Sequence, residues 1–178
     1  MSYLLGISGS LRKDATNTKL IHAASTIYGG ELQVGDVRLP LYDGDLETAQ
    51  GVPAPVLALA NQIMGAEAVI ISTPEYNKSI SGVLKNALDW VSRTDRNPWA
   101  DKPVAIMSAT AGRSGGERAQ FDLRLCMTPF RTRIIQGPEL MLAKSDDQFG
   151  VDGTLISDYY TKTLTSLMKA LKAEVARV

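Results

Sequence analysis

Apolar and polar positions along this chain follow two alternating periods. Val69, Ile70 and Ile71 form a continuous β-branched run, the pattern of a strand covered on both faces and hence of a parallel sheet. Pro74 ends that run, because proline cannot donate to a sheet ladder and holds Thr73 away from helical geometry. Beyond it, Ile80, Val83, Leu84, Ala87, Leu88 and Val91 recur at helical spacing, with Lys85, Asn86 and Asp89 on the other side. Pro74-Glu75-Tyr76-Asn77 is thus predicted to be an exposed loop at the carboxyl end of a strand. That is the rim where open α/β sheets bind ligands.

The same alternation runs through the rest of the chain. Tyr3–Ile7 reads as a first strand, and Leu20, Ile21, Ala24, Ile27 and Tyr28 as the helix after it, with Asn17 as its cap. Leu32, Val34 and Val37 suggest a second strand, followed by a long surface connection from Arg38 to Pro55 punctuated by proline and glycine. Val56, Leu59, Ala60, Ile63 and Met64 predict a helix that Gly65 stops. A fourth strand is expected over Val104–Met107, and a helix through Ala119, Leu123, Cys126, Met127 and Phe130, ended near Pro129. Ile134-Ile135 and Leu140–Leu142 read as a split fifth strand. Lys144–Gly153 is a polar loop, and Ser157 caps a last helix whose apolar stripe runs from Tyr160 to Val175. The economical architecture is α/β, a five-stranded parallel sheet of order 2-1-3-4-5 with helices on both faces. This order sets the loops after strands one and three side by side at the topological switch point.

Composition narrows the function classes. At 178 residues the chain is expected to be one domain, spanning 1–178. Lys and Arg total 19 and Asp and Glu total 19, so no charge excess argues for nucleic acid or a membrane surface. The single cysteine, Cys126, excludes an internal disulfide, a cysteine-rich zinc site and a CxxC pair, and reads as a small core residue. The first ten residues carry no basic segment before a short apolar run, so the cytoplasm is the expected location.

The candidate chemistry lies in the loops. Between the first strand and its helix stand Ser8, Ser10, Arg12, Thr16, Asn17 and Thr18. Hydroxyls, free backbone N–H groups, a helix amino terminus and one guanidinium make an anion site. The spacing does not match G-x-G-x-x-G or a P-loop, and no cysteine follows the first strand to act as a phosphatase nucleophile; such a hydroxyl-rich loop suits the terminal monophosphate of a tightly held cofactor, the alternative being an ordinary solvated loop with an Asn cap. Backbone groups of Pro74–Asn77 can hydrogen-bond the edge of a planar ring, and Tyr76 can pack on it. The Glu75 side chain by itself reads as a solvated carboxylate. The glycine-rich run from Thr110 to Gly116 allows close backbone approach to the same ligand, or serves as a simple strand-to-helix turn. No triad, metal cluster or carboxylate pair is apparent, and His22 reads as structural or surface. An enzyme of this kind would leave the chemistry to its cofactor, with no catalytic side chain and no metal.

Three stretches together resemble the NADPH-dependent FMN reductase family, in particular its quinone and chromate reductase branch. They are Gly9-Ser10-Leu11-Arg12 with Asn17; Pro74-Glu75-Tyr76-Asn77 through Gly82, Leu84-Lys85-Asn86-Ala87 and Asp89-Trp90; and Gly112 with Gly115-Gly116. The resemblance implies a flavodoxin-like fold and non-covalent FMN. Ser10, Arg12, Thr16, Asn17 and Thr18 would hold its phosphate, Pro74, Glu75, Tyr76 and Asn77 would line the isoalloxazine ring, and Thr110 would touch the flavin from the third loop. Two departures from the family pattern are Ala15, where serine is frequent, and Ser81, where proline often precedes the glycine. The implied reaction is hydride transfer from NADH or NADPH to the flavin and on to a small acceptor: quinones, free flavins, azo dyes, chromate or ferric complexes. The resemblance also implies a homodimer, or a tetramer built from two; Trp90, Arg118 and Phe121 are candidate contacts there, with core or solvent positions as the alternative. The competing class is a flavodoxin-like electron carrier or flavin-binding regulatory module. Carrier flavodoxins tend to be strongly acidic, and this chain is neutral with a basic loop.

Overall fold

The computed structural model describes residues 2–177. Parallel strands β1 (Leu4–Ser8), β2 (Leu32–Gly35), β3 (Ala68–Thr73), β4 (Pro103–Ala109), β5 (Arg133–Ile134) and β6 (Leu140–Leu142) form one sheet in the order β2-β1-β3-β4-β5. β6 also pairs with β4. The split fifth strand is real: β5 pairs with the start of β4 (Val104 with Ile134) and β6 with its end (Ala109 with Leu142).

The helices are α1 (Thr16–Tyr28), α2 (Gly44–Gln50), α3 (Ala54–Gly65), α4 (Gly82–Val91), α5 (Glu117–Met127) and α6 (Asp158–Val175). α1 and α6 cover one face of the sheet, where Leu4, Ala68, Ile70, Ala105 and Met107 meet Leu20, Ile21, Leu164 and Leu171. α3, α4 and α5 cover the other, where Leu5, Ile7, Val69, Ile71 and Ile106 meet Leu59, Ile63, Leu84 and Leu123. Successive strand residues point to opposite faces, so a sheet buried on both favours apolar side chains in succession, with the buried hydroxyls of Ser72 and Ser108 at the strand ends hydrogen-bonded. That explains the unbroken runs in β1, β3 and β4. Ser157 caps α6 as expected, accepting from the Tyr160 N–H.

Three expectations are corrected. The connection from Arg38 to Pro55 contains a helix, α2, capped by Asp43, whose carboxylate accepts from the N–H groups of Asp45 and Leu46. Its sequence buries no residue fully, so it carries no apolar stripe to announce it. Trp90 is fully buried and therefore no surface contact; its indole N–H donates to the Pro40 carbonyl at 2.7 Å, and its ring meets Tyr42 edge-on. Asn86 secures the same connection, donating to Pro40 O and accepting from Tyr42 N. The third correction concerns Asn17, which does not cap α1. The Ncap position is Ala15, with no side-chain cap. Cys126 packs half-buried against the α5 side of the core, where burial first and Asp122 second push its thiol above the ordinary range.

Gly115 and Gly116 both have positive φ, and a Cβ at Gly115 would lie 2.3 Å from the Met141 carbonyl oxygen. Close packing of the β4–α5 turn on β6 therefore requires glycine there. Gly115→Ala is expected to lower stability by roughly 1–3 kcal/mol, the range for overpacked or strained positions, as measured by urea unfolding.

Candidate active site

The carboxyl ends of β1, β3 and β4 enclose a cavity of about 280 Å³. Its walls come from four segments: the β1–α1 loop (Ser10, Arg12, Ala15, Thr16, Asn17), the β3–α4 loop (Pro74, Glu75, Tyr76), the β4–α5 loop (Ala109–Gly112), and Ser145 and Asp146 after β6. Eight of the ten residues singled out in the sequence, Ser10, Arg12, Thr16, Asn17, Pro74, Glu75, Tyr76 and Thr110, line this one cavity. Thr18 and Asn77 do not.

At the α1 end, the N–H groups of Thr16 and Asn17 have no acceptor among the described residues. No acidic side chain stands in the first turn, and Ala15 offers no capping oxygen. A helix start left in this state, with exposed Arg12 beside it and no ion-pair partner for Arg12 among the described residues, is complementary to a phosphate. The departure at Ala15 thus leaves the donors free. The Thr16 hydroxyl donates to Ser145 Oγ at 3.0 Å, which ties the segment after β6 to the start of α1.

Asn17 works through its side chain as a brace. Its Nδ2 donates to Ala109 O at 3.0 Å, and its Oδ1 accepts from Ser72 Oγ at 2.8 Å and Ala109 N at 3.1 Å. With the amide occupied and only 3% of the residue exposed, its backbone N–H is what a ligand can use. Thr18 turns away: its hydroxyl donates to Ser8 Oγ at 3.0 Å on the β2 side of the loop.

At the other end, Tyr76 and Ser79 exchange backbone hydrogen bonds of 3.0 Å around Asn77 and Lys78, both at positive φ. This is a type I′ turn, and asparagine is among the few residues that accept its left-handed first position. Asn77 therefore shapes the loop from outside the cavity. Tyr76 is 57% exposed, a ring face available for stacking.

Glu75 is no free carboxylate. Its Oε2 accepts from the N–H groups of Arg118 and Ala119, at 3.1 and 3.3 Å, in the first turn of α5, whose own Ncap, Gly116, has no side chain to offer. Asp122, one turn further along, accepts from the Ser79 hydroxyl and the Ile80 N–H. Two carboxylates therefore clamp the β3–α4 loop to α5. Ser81 joins this loop to the first, donating to Gly9 O at 2.5 Å while accepting from Leu84 N as the cap of α4. A proline there could not donate. Sequence reasoning missed Ser145, Asp146 and the clamp, because each depends on which loops meet in space.

Residues 3–147 match the family described as NADPH-dependent FMN reductase. The chain belongs to that family. It is 37% identical over 178 residues to the NAD(P)H-dependent FMN reductase of Pseudomonas aeruginosa, covering 98% of this chain and 96% of that protein. It is 40% identical over 169 residues to the quinone reductase of Escherichia coli K12, covering 89% of each. Among solved structures, the flavoenzyme NAD(P)H:(acceptor) oxidoreductase FerB from Paracoccus denitrificans superposes with a TM-score of 0.89 at 30% identity, covering 99% of this chain and 98% of that one. The fold is flavodoxin-like, as expected.

Glu75→Ala removes the cap supplied to α5 and is expected to cost about 0.5–2 kcal/mol, with Glu75→Gln recovering part of it because an amide oxygen still accepts. Thermal unfolding of the two variants side by side measures this.

Proposed function

We propose that the chain is an FMN-dependent NAD(P)H oxidoreductase that passes reducing equivalents from NADH or NADPH to quinones and related acceptors: flavins, chromate, ferric complexes or azo compounds. The observation that carries this reading is the cavity's polarity. One end presents unpartnered helix N–H groups and Arg12, the other an exposed tyrosine ring and loop backbone. A flat ring system bearing a monophosphate matches both ends. In this reading 1–178 is one FMN-binding domain.

The residues fit the cofactor in definite roles. Arg12, the hydroxyls of Ser10 and Thr16, and the N–H groups of Thr16 and Asn17 hold the phosphate. Pro74–Tyr76 and the loop from Thr110 hold the ring, with Asn77 supporting it through the turn and Thr18 bracing the phosphate loop from behind. When bound, the flavin supplies the two-electron chemistry that the side chains lack. The protein's part is to orient it and leave one face open to a nicotinamide and then to an acceptor. Among the described residues no group of three or more His, Cys, Asp or Glu is placed to hold a metal, and no helix is long and apolar enough to cross a membrane. We place the enzyme in the cytoplasm.

We also read the chain as a homodimer, or a tetramer built from two. Phe121 and Leu125 are 57% and 70% exposed on α5, whose outer surface otherwise has little reason to be apolar. Sedimentation velocity should show no monomer at micromolar concentration, and Phe121→Lys with Leu125→Lys should produce one.

The decisive experiment is an anaerobic visible spectrum. The protein loaded with FMN should bleach on adding NADH or NADPH and recover colour on adding a quinone; persistent colour would make it a carrier that needs a partner. Arg12→Ala should weaken FMN binding by about 10- to 100-fold, the effect of losing a charge-assisted hydrogen bond. An unchanged dissociation constant would remove Arg12 from the phosphate site.

A further inference from the structure

A second cavity, about 460 Å³, lies on the opposite side of the β1–α1 loop, at the carboxyl end of β2. It shares Ser10 and Arg12 with the flavin cavity, so the two are separated only by that loop. Its charged lining is three cations, Arg12, Lys13 and Arg38, against one carboxylate, Asp36. The imbalance is local, since the whole chain is neutral. Arg38 is held in place: its Nη1 lies 3.3 Å from Asp36 Oδ1, and its Nη2 donates to the Leu11 carbonyl at 3.2 Å. Lys13 has no ion-pair partner among the described residues. Leu11 and Val34 add exposed aliphatic surface to the same walls. A third, mainly apolar groove runs from Tyr76 past Gly9, Ser10 and Leu11 to meet it.

A ligand matching this surface has an apolar flat group, a strongly anionic group, and a length that reaches round the loop to Tyr76. Quinones carry no such anion, and chromate has no apolar flat group. We propose that this cavity receives the adenosine end of the nicotinamide dinucleotide, with Lys13 and Arg38 binding the 2′-phosphate that distinguishes NADPH from NADH. Leu11 and Val34 form the wall for the adenine, and the groove beside Tyr76 carries the rest of the molecule to the flavin face. A guanidinium already oriented by Asp36 loses little freedom on binding a phosphate, and charge-assisted contacts of this kind favour phosphate monoesters over hydroxyls. The volume falls within the roughly 300–1,000 Å³ of small-molecule sites. The inference rests on the reductase reading, and makes NADPH the preferred donor.

The test uses the FMN-loaded protein and two fragments, adenosine 2′,5′-bisphosphate and adenosine 5′-monophosphate, titrated by calorimetry. The bisphosphate should bind about 10-fold or more tightly than the monophosphate, and Arg38→Ala and Lys13→Ala should each erase most of that difference. In steady-state kinetics the same variants should lower the ratio of kcat/KM for NADPH to that for NADH by a similar factor, chiefly through KM. Equal binding of the two fragments to the native protein would overturn the proposal, as would variants that keep the discrimination. Failure of the reductase reading looks different: neither dinucleotide would bleach the flavin, whatever the fragments do.

Discussion

The side chain of Asn17 meets three hydrogen-bonding groups at the ends of β3 and β4 while sitting in the first turn of α1, and the ligand-facing edge of the sheet is arranged around it. Ser72 and Ala109 lie at the carboxyl ends of adjacent central strands, one residue from the last in β3 and the last in β4, and each would bury an unmet polar group without the amide. Such groups cost about 1–3 kcal/mol each when left unpaired. Because a single planar amide satisfies donor and acceptor together, the start of α1 has little freedom to slide against the sheet. The end of the cavity at the start of α1 inherits that rigidity, and its free backbone donors are aimed before any ligand arrives.

The loops divide the work between scaffold and ligand. In the β1–α1 loop and the first turn of α1, Asn17 and Thr18 act as braces while Arg12 and Thr16 face the cavity. In the β3–α4 loop, Asn77 makes the left-handed turn, Glu75 and Ser79 bind α5, and Tyr76 is left exposed. The glycines of the third loop answer a packing demand, since Gly115 and Gly116 sit against Met141 and Ser108. Of that glycine-rich run, the cavity itself receives only Thr110, Ala111 and Gly112. Binding energy is not then spent on ordering the loops, which is how a site for a tightly held cofactor gains affinity.

Electrostatics reinforce this division. Carboxylates at 75 and 122 are occupied by backbone and hydroxyl donors of neighbouring elements, while cations at 12, 13 and 38 cluster around one loop. The segregation is invisible in the net charge, which is zero. It gives a neutral protein a locally positive entrance suited to phosphorylated cofactors.

Period and punctuation in the sequence determined the order of the strands and of five of the six helices, the parallel sheet with its 2-1-3-4-5 arrangement, and the three loops that line the cavity. These follow from the residues themselves: a strand buried on both faces favours apolar side chains in succession, and proline and glycine act locally. The split of β5 from β6 and the cap at Ser157 were legible for the same reason. Helix α2 was not, since it buries no side chain fully. The roles of Asn17, Glu75, Asn77 and Thr18 were decided only by tertiary structure. A polar side chain in a loop has several possible partners, and which it takes depends on elements up to 92 residues away, as with Asn17 and Ala109. Ser145 and Asp146 joined the cavity, and Trp90 left the surface, on the same terms: contacts distant in sequence leave no periodic trace in it.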